Sequence, residues 1–161
     1  MRCHLIEAFI LILVANGTPV IASRLLAERF NWPVDGGQYA PDGNRWLGRS
    51  KTFRGVVLAV IATALMAALI GISWQTGAMA GLLAMLGDLL SSFTKRRMGR
   101  TVSSQLQGLD QVPESLFPLV FLAGPLNLQW YEVLVLVGAF WVLELLLSRV
   151  LFRLHIRNRP Y

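Results

Sequence analysis

A carboxylate, two hydroxyls and a cluster of cations follow one another in the segment Gly87-Asp88-Leu89-Leu90-Ser91-Ser92-Phe93-Thr94-Lys95-Arg96-Arg97-Met98-Gly99. On a helix, Asp88, Ser91, Ser92 and Lys95 fall on one face at i, i+3, i+4 and i+7. At 1.5 Å rise per residue, Asp88 then lies roughly 10 Å along the axis from Lys95. Such a group suits a magnesium-bound triphosphate. Mg²⁺ takes one or two carboxylates and completes its shell with phosphate oxygens and water. Lys95, Arg96 and Arg97 would neutralise the remaining phosphate charge, the arginines through a bidentate fork. Two plainer roles compete: an ion pair between helices for Asp88, and the basic flank of a membrane span for the three cations.

Two further segments carry comparable chemistry. Leu109-Asp110-Gln111-Val112-Pro113-Glu114 offers Asp110 as a second metal ligand, although Pro113 marks a helix start where Asp110 or Glu114 would also serve as a cap. In Asn44-Arg45-Trp46-Leu47-Gly48-Arg49-Ser50-Lys51-Thr52-Phe53-Arg54-Gly55, the donors Ser50, Lys51, Thr52 and Arg54 stand at the start of a predicted helix, where the dipole favours an anion. The Gly-x-x-x-x-Gly-Lys-Ser/Thr spacing is absent and no strand precedes the segment, which excludes a soluble P-loop nucleotidase.

The elements that must position these residues are membrane helices. Of 161 residues, 55% are hydrophobic and only 15% charged, and the mean hydropathy is positive, which excludes an ordinary soluble domain. Apolar stretches run over about 5–23, 55–74, 77–93, 115–130 and 131–152, against the ~20 residues that cross a bilayer core. The expected fold is therefore all-α, one membrane domain over 1–161 with five transmembrane helices and two basic loops, 24–54 and 94–114. Glu7 near the start of the first stretch, and the lack of a small-residue cleavage site after it, argue against a removed signal peptide. Cys3 is the single cysteine, so the chain can form neither an internal disulfide nor a thiolate metal cluster.

Charge placement sets the expected topology. Of 15 Lys and Arg, six lie between the first and second spans, four between the third and fourth, and four at or beyond the end of the fifth. Those three places share one side, which the positive-inside rule makes cytoplasmic, with the N-terminus outside and the C-terminus inside. The net charge of +6 is thus a property of that membrane face and calls for no nucleic-acid partner. Arg153, Arg157 and Arg159 are expected to meet anionic lipid headgroups. Gly55, Ala59, Thr63, Ala67 and Gly71 form a ridge of small residues at steps of four, and Gly77, Ala80, Gly81, Ala84 and Gly87 form another. Such ridges serve helix packing within the chain or in a homodimer. Asn16-Gly17-Thr18-Pro19 is expected to interrupt the first helix, either as a simple kink or as unwound backbone facing a polar cavity.

Taken together, these blocks resemble the CDP-archaeol synthase family, relatives of the phosphatidate cytidylyltransferases. The matching pieces are Asn16 with Pro19; Pro33 with Asp35 and Gly36; Leu47-Gly48 followed by Lys51-Thr52-Phe53-Arg54-Gly55; Gly87-Asp88-Leu89 with Ser92-Phe93 and Lys95-Arg96-Arg97-Met98-Gly99; and Leu109-Asp110-Gln111. The resemblance implies transfer of CMP from CTP to a membrane lipid phosphate such as an isoprenoid glycerol ether phosphate, with Mg²⁺ as cofactor. It also implies the roles. Asp88, Asp110, Lys95 and Lys51 would be catalytic, with Asp88, Asp110 and Glu114 as metal ligands. Arg96, Arg97, Ser91, Ser92, Thr52, Arg54, Asn16 and Asp35 would bind substrate. Where the family continues Asp-Gln-Leu-Asp this chain has Pro113, so Glu114 would act from one position further on, or one metal would suffice.

A lipid phosphate is already anionic near neutral pH and needs no general base, so catalysis would rest on positioning and charge stabilisation. The rival reading is a small transporter or channel in which Glu7, Asp88 and Glu144 form an intramembrane ion path. Against it, most polar residues crowd at one side of the membrane.

Overall fold

The computed structural model describes residues 4–27, 29–100 and 108–153. The expectations for Arg2, Cys3, Arg157, Arg159 and the side chain of Arg153 fall outside the described residues. Five helices follow in chain order: α1 His4–Leu25, α2 Phe53–Leu69, α3 Trp74–Arg97, α4 Gln111–Leu126 and α5 Trp130–Arg153. α1, α3 and α5 are long and apolar enough to cross a bilayer, while α2 and α4 have 17 and 16 residues.

Local chemistry explains why the helix limits differ from the hydropathy limits. Thr52 is extended and its side-chain oxygen accepts from Gly55 N at 3.3 Å, which starts α2 at Phe53. The expected end at 74 is too late, because Gly71 turns the chain at φ +80° and Ser73 then caps α3 through the Thr76 N–H at 3.2 Å. α3 runs four residues beyond the apolar stretch, so Lys95, Arg96 and Arg97 are helical. α4 begins at Gln111, placing Pro113 in the first turn, where its missing N–H leaves no intrahelical bond unmade. Asn127 ends α4 in the left-handed region, φ 51°.

α1 is continuous through Pro19, which corrects the expectation of unwound backbone there. Nearby side chains bond back to the helix: Asn16 Nδ2 donates to the Ile12 carbonyl at 3.0 Å and Thr18 Oγ1 to that of Val14 at 2.6 Å. Pro19 remains in helical register without donating an N–H of its own.

α3 is the hub of the bundle, packed against α1, α2 and α4. Gly55, Ala59, Thr63 and Ala67 of α2 are all buried. A Cβ on Gly77 would lie 2.4 Å from Ala67 Cβ and 2.6 Å from the Thr63 carbonyl oxygen, so the two small-residue ridges are engaged with each other inside the chain. By contrast, large apolar side chains such as Leu65, Leu69, Val120, Leu134 and Val135 are exposed around the perimeter. That inversion suits a surface facing lipid. Exposed Trp74, Trp130 and Tyr131 lie at one end of the bundle, and exposed Phe30, Trp32 and Phe53 at the other, as in the aromatic belts of membrane interfaces.

Candidate active site

The C-terminal halves of α1, α3 and α5 and the N-termini of α2 and α4 enclose one cavity of about 830 Å³, which fixes these five helix ends at the same end of the bundle. Its polar part contains Lys51, Thr52, Asp88, Ser92, Lys95, Arg96, Asp110 and Glu114. Two helix N-termini opening on one space add partial positive charge to that of the cations.

Lys51 reaches the cavity because of how loop 26–52 is built. Val34 N donates to the Lys51 carbonyl at 2.8 Å and Phe53 N to that of Trp32 at 3.0 Å, a short antiparallel pairing that carries the chain into α2. Asp35 organises the loop interior. Its carboxylate accepts from the N–H groups of Gly37 at 3.0 Å, Leu47 at 3.2 Å and Gly48 at 2.9 Å, and from Arg45 Nη2 at 3.1 Å. Burial alone would raise the Asp35 pKa, but the three backbone donors and Arg45 outweigh it and hold the carboxyl below its ordinary value.

A depressed folded pKa means that Asp35 contributes its stabilisation above the unfolded value, about 3.9, and loses it as pH falls through the lower folded value. Hydrogen exchange at the Leu47 and Gly48 amides, corrected for intrinsic rates, is therefore expected to stay protected from pH 7 to below about 4. Asp35→Asn is expected to lose that protection already at pH 7. Equal protection in the two proteins would remove Asp35 from this role.

Within the cavity the charges are paired. Lys51 Nζ donates to both Asp88 oxygens, at 2.5 and 2.6 Å, and Lys95 Nζ lies 2.7 Å from Asp110 Oδ1. Asp88 thus ties the loop before α2 to α3 and faces the cavity at once. Asp110 sits at the N-cap position of α4 but makes no capping hydrogen bond, so the capping role is not realised. Arg54 donates to the Arg29 carbonyl, tying the start of α2 to the chain leaving α1. Asn16, whose nitrogen is committed to Ile12, has its Oδ1 buried without a hydrogen-bond partner and lines the same cavity.

Among the described residues, no three His, Cys, Asp or Glu side chains gather so as to hold a metal ion by themselves. Asp88 and Asp110 nonetheless open on one cavity, with hydroxyls and cations beside them. That donor set fits Mg²⁺ arriving with phosphate oxygens, since Mg²⁺ is rarely caged by protein ligands alone.

A profile of the CarS-like family, described as CDP-archaeol synthase, matches residues 4–161. The chain belongs to the CDP-archaeol synthase family. CDP-archaeol synthase of Sulfurisphaera tokodaii is 34% identical over 155 residues, covering 92% of this chain and 90% of that protein. CDP-archaeol synthase of Sulfolobus acidocaldarius is 33% identical over 156 residues, covering 92% and 91%. A solved structure described as an intramembrane enzyme for archaeal membrane lipids biosynthesis is similar at a TM-score of 0.78 and 27% identity, covering 89% of this chain and 91% of that one. The resemblance read from the sequence therefore holds, as does its implication of a CTP-dependent cytidylyltransferase of membrane lipid synthesis. The chain is an all-α, multi-pass membrane protein.

Of the residues that the family resemblance singled out, ten line the cavity: Asn16, Lys51, Thr52, Arg54, Asp88, Ser92, Lys95, Arg96, Asp110 and Glu114. Three are directed elsewhere. Asp35 is spent inside its loop, Ser91 Oγ donates to the Asp88 carbonyl at 2.9 Å, and Arg97 faces away from the cavity. Glu7, invoked for an ion path, accepts from His4 at 3.2 Å near the N-terminus of α1, away from Asp88 and Glu144.

The cavity also contains Arg24, Asn31, Arg49 and Ser148, which were not among the expected site residues, and Glu144, which was named only for the rival ion path. Arg24 had a signal, since Asn16, Val20, Ser23 and Arg24 stand at i, i+4, i+7 and i+8 on one helix face. The signal at Glu144, a carboxylate inside an otherwise apolar span, was read for an ion path and not for this site.

Proposed function

We propose that this chain transfers CMP from CTP to an archaetidic-acid-type ether lipid phosphate within the α1–α5 cavity. The observation that carries the reading is that one cavity joins two chemistries. Its polar part holds Lys51, Lys95, Arg96, Asp88 and Asp110, and its wall continues into Val20, Ile21, Leu143 and Leu147 on α1 and α5. Val20, Ile21 and Leu147 are 48%, 59% and 46% exposed on the outside of the bundle. A lipid in the bilayer thus has an apolar path from its chains to the charges that would take its headgroup.

A phosphate oxygen of the lipid attacks the α-phosphorus of CTP; the new P–O bond forms as the bond from the α-phosphorus to the bridging oxygen breaks, and pyrophosphate leaves. Nucleophile and leaving group are both anions, so no proton moves and no general base is needed. Lys51, Lys95 and Arg96 hold the phosphates in line and offset their mutual repulsion. Asp88 and Asp110, with Glu114 in place of the family's fourth-position Asp, are the residues that would hold Mg²⁺, which supplies further neutralisation of phosphate charge when bound. Phosphates that take the lysines would free the two carboxylates from their present partners, leaving them available to hold the cation. Thr52 and Ser92 add hydroxyl donors, and Asn16 Oδ1 accepts from a hydroxyl or amino group of a substrate.

In this reading all five helices cross the membrane, with the cavity end of the bundle and the C-terminus in the cytoplasm, where CTP is. The bias of 14 of 15 Lys and Arg towards that side supports it.

The test is mass spectrometry of lipids after incubating the purified protein, in bilayers, with CTP and either archaetidic acid or diacyl phosphatidic acid, with Mg²⁺ or with EDTA. The expected result is a CDP-lipid from archaetidic acid that disappears with EDTA. Folded protein that yields no CDP-lipid from either acceptor sinks the proposal; product from diacyl phosphatidate alone sinks its acceptor.

A further inference from the structure

We propose that Arg97 is a positioning residue: it fastens the loop carrying Lys51 around the end of α3 and touches no substrate. This rests on the function proposed above and extends it to a residue that does not line the cavity.

The helix geometry excludes a direct role. Nine residues separate Asp88 from Arg97, which at 3.6 residues per turn places them on opposite sides of α3. Lys95, seven residues on, returns to the face of Asp88. Both terminal nitrogens of Arg97 have partners on the far side. Nη1 lies 2.8 Å from Asp42 Oδ1, and Nη2 donates to the Arg45 carbonyl at 2.9 Å and more weakly to that of Asn44 at 3.4 Å. Its guanidinium carbon is 5.3 Å from the Trp46 ring centre and 5.5 Å from that of Phe93. Those two rings stack on each other at 5.8 Å and 13°. Asp42, Trp46 and both carbonyls belong to the loop, while Phe93 and Arg97 belong to α3.

From this fastening, a continuous series of contacts leads to the site. Trp46 is followed by Leu47 and Gly48, whose N–H groups are held by Asp35. Beside Asp35, Val34 N donates to the carbonyl of Lys51, and Lys51 Nζ reaches back to Asp88 on α3. The loop is therefore a strap around the cytoplasmic end of α3, pinned at Arg97 on one side and at Asp88 on the other. Freeing the outer pin lets Lys51 leave its position before CTP arrives, so nucleotide binding pays for re-ordering the loop.

The test is steady-state kinetics of the full chain in bilayers with Arg97→Ala, Trp46→Ala and the double variant. Arg97→Ala is expected to raise KM for CTP about tenfold, the scale of one lost charge-assisted and cation–π contact set, with a smaller change in kcat and in KM for the lipid. Trp46→Ala, which removes no cation, is expected to do much the same, and the double variant to be no worse than the poorer single one. Arg97→Lys keeps the charge near Asp42 and should recover part of the loss, without the planar stack.

An unchanged KM for CTP in Arg97→Ala overturns the proposal. So does a raised KM in Arg97→Ala with none in Trp46→Ala, because that pattern marks a direct phosphate contact. A fall in kcat alone in both variants also overturns it, being the mark of lost folded protein. Should Arg97→Ala fail to fold, Asp42→Asn and Trp46→Ala carry the same expectation for KM and the same refutation. A wild-type protein that makes no CDP-lipid would instead overturn the function on which this inference rests.

Discussion

Asp88→Asn is expected to lower the rate of CDP-lipid formation on the order of 10³-fold, the usual scale for removing one preorganised electrostatic group from a site. The substitution is isosteric, so it leaves no void, and it removes only charge. That charge now holds Lys51 through both carboxylate oxygens, at 2.5 and 2.6 Å. In the proposed mechanism it later helps to hold the metal ion. Both functions fail together. The pair is only about one-fifth exposed, at 21% and 22%, so the substitution also leaves the Lys51 charge partly buried without its partner, and stability is expected to fall too, by at most about 3–5 kcal/mol. The measurement is turnover by mass spectrometry beside thermal unfolding in the same detergent. Turnover within a few fold of wild type, with folded protein, would remove Asp88 from the reaction. A scaffold that binds anionic lipid without chemistry requires that outcome.

Gly87→Val attacks the site through the backbone. A Cβ on Gly87 would lie 2.3 Å from the Pro113 carbonyl oxygen, 2.5 Å from its carbonyl carbon and 2.7 Å from Glu114 Cα. All three are main-chain atoms of α4, so no side chain can swing aside and the two helices must separate. Overpacking typically costs about 1–3 kcal/mol and more where the neighbours cannot yield, so a fall in unfolding temperature of several degrees or outright misfolding is expected. Protein that does fold should be nearly inactive, because Asp88 follows Gly87 directly and α4 carries Asp110 and Glu114. Gly124→Ala and Gly138→Ala are the controls. A Cβ at either meets nothing within 4 Å, and alanine is the better helix former. Equal stability for Gly87→Val and these controls would show that α3 and α4 do not meet as described.

Much of the site was legible because helical phase is legible. The spacing of Asp88, Ser92 and Lys95 placed them on one face, and all three line the cavity. The predicted helix start likewise put Lys51 and Thr52 beside the N-terminus of α2. Arg97 shows the limit of reading by adjacency. Three consecutive cations look like one phosphate cluster, yet successive residues on a helix diverge, and Arg97 is turned to the opposite side from Asp88. What holds Arg97 there is a set of contacts with residues 42–46, which no local pattern announces. Asp35 was implicated by resemblance as a substrate group, but its four hydrogen bonds lie within its own loop. The helix limits departed from hydropathy where caps and left-handed turns decide them, at Ser73 and Asn127. At Pro19 the expected break did not follow, since neighbouring polar side chains bond back within an intact helix.

The shortness of α2 and α4 bears on how this enzyme meets its lipid. At 17 and 16 residues they extend about 25 Å, less than the roughly 30 Å of a bilayer's hydrocarbon core. In the orientation proposed above, that shortfall leaves room for their N-termini, which carry Thr52 and Asp110, to lie below the plane where headgroups ordinarily sit. A lipid would then not need to rise out of its leaflet to react. In the proposed reaction it would slide along Val20 and Leu147 until its phosphate entered the recess, while its chains stayed in hydrocarbon. Lifting those chains into water would cost about 0.8 kcal/mol for every CH₂ exposed, far more for an isoprenoid pair than a binding site could return. On the proposed mechanism, nucleotide and pyrophosphate would trade through the aqueous mouth, and the CDP-lipid would leave sideways into the leaflet that supplied its precursor. For such an enzyme the concentration that matters is a mole fraction in two dimensions, so catalysis is paced by how crowded the membrane is with acceptor.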